Sequence, residues 1–526
     1  MTNPFLSRKT AALLTATLMG LLLLFPAGDG KQNSALLSTA EAGFFSNDLE
    51  LFEEVVDLVG DKYVYPPDYK KMFTASVEEM VRTLDDENII MSDTPGGQAI
   101  SRFDSSIRYQ LNFNREHDLE DFKKIYYFLH EESKNKLSKE ELETAAVTGL
   151  MKSLDPYSQY MDAEVFGRSM RDTEGKYGGL GMVITMKDNR LYVVKTMKNS
   201  PAERAGILPD DIFEKVNGED ISKTQITELA DMLRGYPDTK VTISLRRQSD
   251  KRERTYTLTR EIISIETVEY ETLEDNIGSI KITSFSKQTN DQLKEALAKS
   301  KKDKVKGFIL DLRDNPGGLL DQSVKVASHF LYRNRLIVYT QGRESTSHNE
   351  YRAQYKNSLH FMPVIILINQ YSASAAEIVA GALRDSGKAL IVGENSYGKG
   401  TVQTIFRTSD GSGLRLTTSK YYTPSGTDIT EHGIVPEVRI IKDPIPEGDS
   451  QAEKKSKTEP PQFGSGSLIK LKESEVKSFI QKKHYIKEKS ADPTFLFAKI
   501  LIKNVSVANK KKTLEKAREL AANIHY

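Results

Sequence analysis

Val364-Ile365-Ile366-Leu367-Ile368 runs directly into Asn369-Gln370-Tyr371-Ser372-Ala373-Ser374, and that into Ala375-Ala376-Glu377-Ile378-Val379-Ala380-Gly381-Ala382-Leu383. Five consecutive apolar residues, four of them β-branched, read as a short strand buried on both faces. The small residues after it permit a tight turn. Ile378, Val379, Ala382 and Leu383 then give a following helix one apolar face. A strand, a tight turn and a helix are the unit of an α/β fold. Ser374 falls at the start of the helix, where unpaired N–H groups and the helix dipole favour negative charge. A plain N-cap serine meets the same local requirement, so the chemistry has to be sought in the flanking sequence.

Upstream, the apolar run Phe308–Leu310 precedes Asp311-Leu312-Arg313-Asp314-Asn315-Pro316-Gly317-Gly318-Leu319-Leu320. Two glycines after a proline at a strand end can offer backbone N–H groups to an oxyanion. Downstream comes Tyr397-Gly398-Lys399-Gly400-Thr401-Val402-Gln403. Glycines on both sides of a lysine let its backbone approach closely and carry the amine into a crowded place. If 399–405 is extended, Lys399 and Gln403 share a face. A glutamine there can hold a neutral amine without adding the charge that would raise its pKa.

Further upstream, glycines cluster in Tyr177-Gly178-Gly179-Leu180-Gly181, followed by β-like runs at 182–186, 191–194, 212–216 and 241–245 and a helix at 226–233. Ser200-Pro201-Ala202-Glu203-Arg204-Ala205-Gly206-Ile207, Asp210-Asp211-Ile212 and Val216-Asn217-Gly218 follow in order. This series resembles a PDZ domain of the type attached to bacterial proteases. In such a domain the glycine loop presents N–H groups to a peptide's terminal carboxylate, and a strand edge pairs with the peptide backbone. No Gly-Lys-Ser/Thr ending follows the glycines, so a phosphate loop is excluded.

Taken together, the Ser-Ala-Ser-Ala-x-Glu box around Ser374, the Gly-Lys-Gly box around Lys399, Gln403 and the Asn-Pro-Gly-Gly box resemble the carboxy-terminal processing (tail-specific) proteases of the S41 serine peptidase family. The resemblance spans residues 45–440, and the separation of serine and lysine is the family's usual one. Ala376, where the family often has serine, and the Glu431–Glu437 box depart from the pattern. The resemblance implies a Ser374/Lys399 dyad supported by Gln403, and an oxyanion hole from Gly317 or Gly318 and Ala375. It also implies tail binding at Tyr177, Gly178, Gly179, Leu180 and Gly181, and neither metal nor cofactor. Helical flanks that assemble the protein are a further family implication.

The expected fold is multidomain. A signal peptide or anchor (1–42) precedes a helical N-terminal domain (43–165), a β-rich PDZ domain (166–262) and an α/β, ClpP/crotonase-like peptidase core (263–443). A linker (444–467) and a helical C-terminal extension (468–526) complete it. The chain of 526 residues has room for these parts. Within 46–165 a pattern recurs at an offset of 70: Asp48, Leu49, Glu50 and Phe52 return as Asp118, Leu119, Glu120 and Phe122. Two helical hairpins, or shared amphipathic patterning, would produce it. Arg8 and Lys9 before the apolar run 11–25 suggest export. The absence of cysteine excludes disulfides, thiolate metal sites and a thiol nucleophile. Lys plus Arg and Asp plus Glu both number 74, which argues against a globally basic nucleic-acid binder. Fourteen Lys/Arg against six Asp/Glu make 468–526 basic.

None of the eight histidines sits in a triad-type box, and His130-Glu131-Glu132 lacks the second histidine of a zinc protease, since Lys134 stands there. Expected partners are protein or peptide substrates with exposed C-termini, a second copy through the helical flanks, and an activating adaptor; no nucleic acid is expected. The competing reading is an inactive peptidase-fold scaffold that binds protein C-termini through its PDZ domain.

Overall fold

The computed structural model describes residues 48–134, 136–188, 190–356, 358–430, 432–443, 468–482, 492–505 and 509–525. The expected signal segment and the expected linker lie outside them. The chain divides into two compact units, 1–50 and 51–526, and the described residues fall almost wholly in the second.

Its centre is a seven-stranded sheet in the order Val268–Leu273, Ile277–Ile282, Gly307–Asp311, Val364–Ile368, Ala389–Gly393, Val438–Ile441 and Ile469–Lys472. Every neighbouring pair is parallel except the first. A parallel sheet needs cover on both faces, and the alternation of its strands shows where each face goes. Phe308, Leu310, Val364, Ile366, Ile368 and Ile391 belong to one buried cluster, with the helices Thr289–Lys302, Leu320–Ser328 and Ala375–Asp385 above it. Ile309, Ile365, Leu367, Leu390 and Val392 belong to the other, with Phe497, Ala498, Leu501 and Ala517. Those residues come from Pro493–Lys503 and Lys510–His525.

The C-terminal residues therefore differ from the wholly helical segment that the sequence suggested. Ile469–Lys472 is a strand that extends the sheet, and the helices after it are the sheet's second layer. The alternation Ile-Lys-Leu-Lys buries the two apolar residues and exposes the two lysines. Lysines on an edge strand block further pairing.

The N-terminal residues hold four helices: Glu50–Lys62, Tyr69–Leu84, Arg115–Glu132 and Lys139–Leu154. The second and fourth are 70 residues apart at both ends, the offset of the sequence repeat. Phe52 and Phe122, equivalent in that repeat, stack with ring centroids 4.1 Å apart, and Phe73 meets both edge-on. Between the two hairpins lies an antiparallel sheet, Ile89–Thr94, Gly97–Arg102 and Ser105–Tyr109, where the sequence suggested helix. Its strands are mostly polar, and the turn at Gly97, with φ of 134°, is what separates the first two.

The PDZ-like part contains strands Met182–Lys187, Arg190–Thr196, Ile212–Val216, Lys240–Arg246 and Glu253–Thr259, with the helix Ile226–Leu233. Leu180, Val193, Phe213, Val216, Leu229, Val241 and Ile243 form its core.

Candidate active site

The strand Val364–Ile368 ends at a turn that places Ser374 at the N-cap of the helix Ala375–Asp385 with φ 54° and ψ −114°. Positive φ at a serine stores strain of about 1–3 kcal/mol, which neighbouring bonds must hold in place. They are present. Ser374 N–H donates to Glu377 Oε2 at 2.7 Å, and Ser374 C=O accepts from Ile378 N at 3.0 Å.

Glu377 is almost completely buried and is the hub of the site. Its Oε2 also accepts from Lys399 N at 3.0 Å, and its Oε1 accepts from Ser396 Oγ at 2.5 Å and Gly398 N at 2.7 Å. One carboxylate oxygen is thus shared by the backbone nitrogens of Ser374 and Lys399, which fixes the two loops against each other. Burial pushes the Glu377 carboxyl upward, and the four donors oppose that push. From the other side, Tyr421 donates its hydroxyl to Lys399 C=O and lies 3.3 Å from Ser374 C=O.

The Lys399 side chain is partly buried. Burial, and then the Arg415 charge, hold it below the usual lysine range; Asp155 and Glu377 act in the opposite direction. Its Nζ lies 5.0 Å from the ring centroid of Tyr157. Tyr157 arrives from the N-terminal part, and no sequence signal singled it out.

Gln403 lies on the strand Thr401–Arg407, and the extra residue of a bulge, Thr418, lies on the partner strand between Thr417 and Ser419. The alternation of 401–407 is kept, so Thr401 and Gln403 share a face. Gln403 Nε2 donates to Thr401 Oγ1 at 2.9 Å and Thr417 Oγ1 at 3.4 Å.

The two loop glycines separate in role. Gly317 N–H donates to Asn315 Oδ1 at 2.8 Å, so this group is internally engaged, unlike the open donor expected from the sequence. Its φ is 101°, and a Cβ on it would lie 2.7 Å from Ser374 Cβ. Gly318 sits opposite Phe285 in a parallel bridge made by Phe285 N to Gly317 O and Leu319 N to Phe285 O. That bridge leaves the Gly318 N–H unused. Ala375, the first residue of its helix, has an N–H without an intrahelical acceptor. The base of the loop is held by Arg313, which donates to both Asp311 oxygens at 2.9 and 2.7 Å and pairs with Asp492 at 2.5 Å.

In the glycine-rich segment of the PDZ-like part, Lys176–Gly179 is a strand paired with Glu261–Ser264. Tyr177 packs under the Arg234 guanidinium at 5.2 Å, and Leu180 is buried. Gly178 C=O accepts from Gly235 N. Gly181, with φ 73°, approaches Ser200 so closely that a Cβ would lie 2.3 Å from the serine Cβ.

Residues 276–440 match peptidase family S41, and residues 192–247 match a PDZ domain. The chain is 42% identical over 307 residues to the carboxy-terminal-processing protease of Bartonella bacilliformis, covering 57% of this chain and 70% of that protein. It belongs to the carboxy-terminal-processing serine proteases of family S41. A probable CtpA-like serine protease of Staphylococcus aureus is 37% identical over 331 residues, covering 63% of this chain and 66% of the relative. Among solved structures, the photosystem II D1 C-terminal processing protease aligns with 75% of this chain and 93% of its own at 25% identity and a TM-score of 0.38. Among the described residues, no helix is long and apolar enough to cross a membrane.

Proposed function

We propose that this S41 protease cleaves exported proteins at or near their C-termini through a Ser374–Lys399 dyad, with the PDZ-like domain recognising the substrate tail or gating its access. The observation that carries this reading is the single Glu377 oxygen shared by Ser374 N–H and Lys399 N–H. In the reaction, Ser374 Oγ attacks the scissile carbonyl as the neutral Lys399 amine takes its proton, forming an acyl-enzyme. The lysine then returns the proton to the leaving amine, and water completes hydrolysis. A lysine held below its usual range is neutral more often near neutral pH, which is what a general base requires.

The oxyanion falls to the N–H groups of Gly318 and Ala375. Gly317 serves by close packing against the serine turn rather than by donating. Gln403 acts at one remove: it fixes Thr401 and Thr417 on the strands beside the base. Tyr177, Gly178, Gly179, Leu180 and Gly181 line the carboxylate end of the tail-binding groove. The site is extracytoplasmic, the helical flanks contribute to self-association, and an adaptor assists activation.

The test is cleavage of a protein with a nonpolar disordered tail by wild type, Ser374→Ala and Lys399→Ala. Losses of about 10⁴-fold or more are expected for both. Two variants as fast as wild type would overturn the dyad, whereas a tail bound but never cut by wild type would favour the inactive scaffold. For the PDZ-like domain, tail-peptide affinity is to be titrated against Gly179→Leu. An unchanged affinity removes the carboxylate-loop assignment.

A further inference from the structure

Tyr157 lies in a turn that follows the helix Lys139–Leu154, far upstream of the peptidase strands. Asp155 builds that turn. Its Oδ1 accepts from Tyr157 N at 2.8 Å, Ser158 N at 3.1 Å and Thr417 Oγ1 at 3.1 Å, and its Oδ2 accepts from Ser158 Oγ at 2.6 Å. Thr417 N donates to Ser158 Oγ at 3.1 Å. Thr417 belongs to the strand Gly413–Tyr422, which pairs with the strand following Lys399. The turn is therefore bolted to the scaffold of the base, and the Tyr157 ring is held over Lys399 Nζ at 5.0 Å. Its hydroxyl is hydrogen-bonded to Tyr397, in the loop that carries the lysine.

We propose that Tyr157 is a positioning residue for Lys399: the N-terminal helical region supplies one wall of the general base's pocket, and catalysis depends on that region through this ring. The inference rests on the dyad reading. The groups acting on the amine are Asp155 and Tyr157 from the turn, Glu377 from the serine helix and Arg415 from the strand Gly413–Tyr422; Tyr421 bonds the Lys399 carbonyl, Tyr397 lies in the same loop and Asp428 lies beside Gly400. Two carboxylates favour the ammonium, while Arg415 and burial oppose it, and burial is the largest influence. Tyr157 keeps water from one side of the amine. Burial first, then Tyr397, push its own phenol up to about 12, so it stays neutral and forms no ion pair that would keep the lysine charged. A ring face attracts a cation only weakly at this distance and exposure, so exclusion of water decides the sign.

The experiment measures kcat and KM against pH, on a tail-bearing protein, for the full chain and its Tyr157→Ala, Tyr157→Leu, Tyr157→Phe and Lys399→Ala variants. Loss of the ring restores hydration to the ammonium. The acid limb of Tyr157→Ala should therefore move up by about one pH unit, with kcat at pH 7 down about tenfold and KM unchanged. Tyr157→Phe keeps the ring and should hold the limb near its wild-type place. Tyr157→Leu keeps bulk if the alanine variant fails to fold; a partial upward shift is expected. An unmoved limb in both Ala and Leu variants, or an equal loss at every pH shared by Phe, overturns the proposal. If those limbs stay unmoved while Lys399→Ala is inactive, the positioning role alone fails. If Lys399→Ala is as active as wild type, the dyad fails and takes this role with it.

Discussion

The N-terminal and C-terminal helical regions look alike in sequence but are built differently. The N-terminal helices enclose a core of their own, centred on Phe52, Phe73 and Phe122, and meet the peptidase part through the 155–161 turn and strand and through polar contacts such as Val64 N to Thr417 C=O, Ser409 Oγ to Glu54 and Arg343 to Gly60 C=O. The C-terminal helices share their core with the central sheet: Phe497, Leu501 and Ala517 close over Ile309, Leu367 and Leu390. One region is a neighbour that reaches into the site. The other is half of the fold that holds it. A basic, helical tail after a Pro- and Ser-rich stretch is therefore no guide to dispensability; the question is whose apolar surface it covers.

The largest test of this contrast is truncation. Removing 468–526 uncovers at least five buried aliphatic side chains on the sheet, each worth about 1.5–3 kcal/mol. That sum is comparable with a whole domain's stability of about 5–15 kcal/mol. The truncated chain is expected to lose cooperative unfolding in calorimetry; a sharp transition at the wild-type temperature would refute the shared-core description.

Single core substitutions sharpen the point. Phe122→Ala and Phe497→Ala should each cost about 3–5 kcal/mol. Phe497→Ala should lower the melting of the peptidase sheet, followed by hydrogen exchange at 364–368 and 389–393. Phe122→Ala should loosen the N-terminal helices while those strands stay protected. Equal loss of protection in both variants would erase the distinction.

Glu377→Gln touches neither flank. An amide cannot accept on both of its heavy atoms, so two of four buried donors lose their acceptor at about 1–3 kcal/mol each. A fall in kcat of about 100-fold is expected, with melting lowered but folding retained. The smallest effect belongs to Asp492→Ala, which removes a partly exposed partner of Arg313 at the foot of the glycine loop. With the carboxylate 41% exposed, solvent screening limits it to about 1 kcal/mol, or a few-fold in kcat. A loss as large as that of Glu377→Gln would show that the C-terminal region acts on catalysis directly.

Much of this was legible in the sequence, for physical reasons. Val364–Ile368 is a short, wholly apolar run before a turn, and the helix 226–233 carries a well-defined apolar face. Ser374, Lys399 and the glycine loop announced themselves through small residues around single polar ones. Other features depend on contacts distant in sequence. Glu377 reads as an ordinary capping glutamate until the lysine loop folds onto it. Tyr157 reads as a turn residue until the strand carrying Thr417 is beside it. The bond from Gln403 to Thr417 forms only when the strand 413–422 pairs beside it. Ile469–Lys472 left a usable signal, its alternation, but four residues are too few to outweigh the helical pattern that follows.

The oxygen that Glu377 divides between the serine turn and the lysine loop has a consequence for control. Pulling those loops apart would strand a buried carboxyl group and at least one backbone donor, a penalty of several kcal/mol. On the proposed dyad, Ser374 and Lys399 therefore travel as one rigid piece. Under that proposal, control works at the doorway, on the water-excluding wall or on closure of the surrounding strands, because taking the two loops apart is costly.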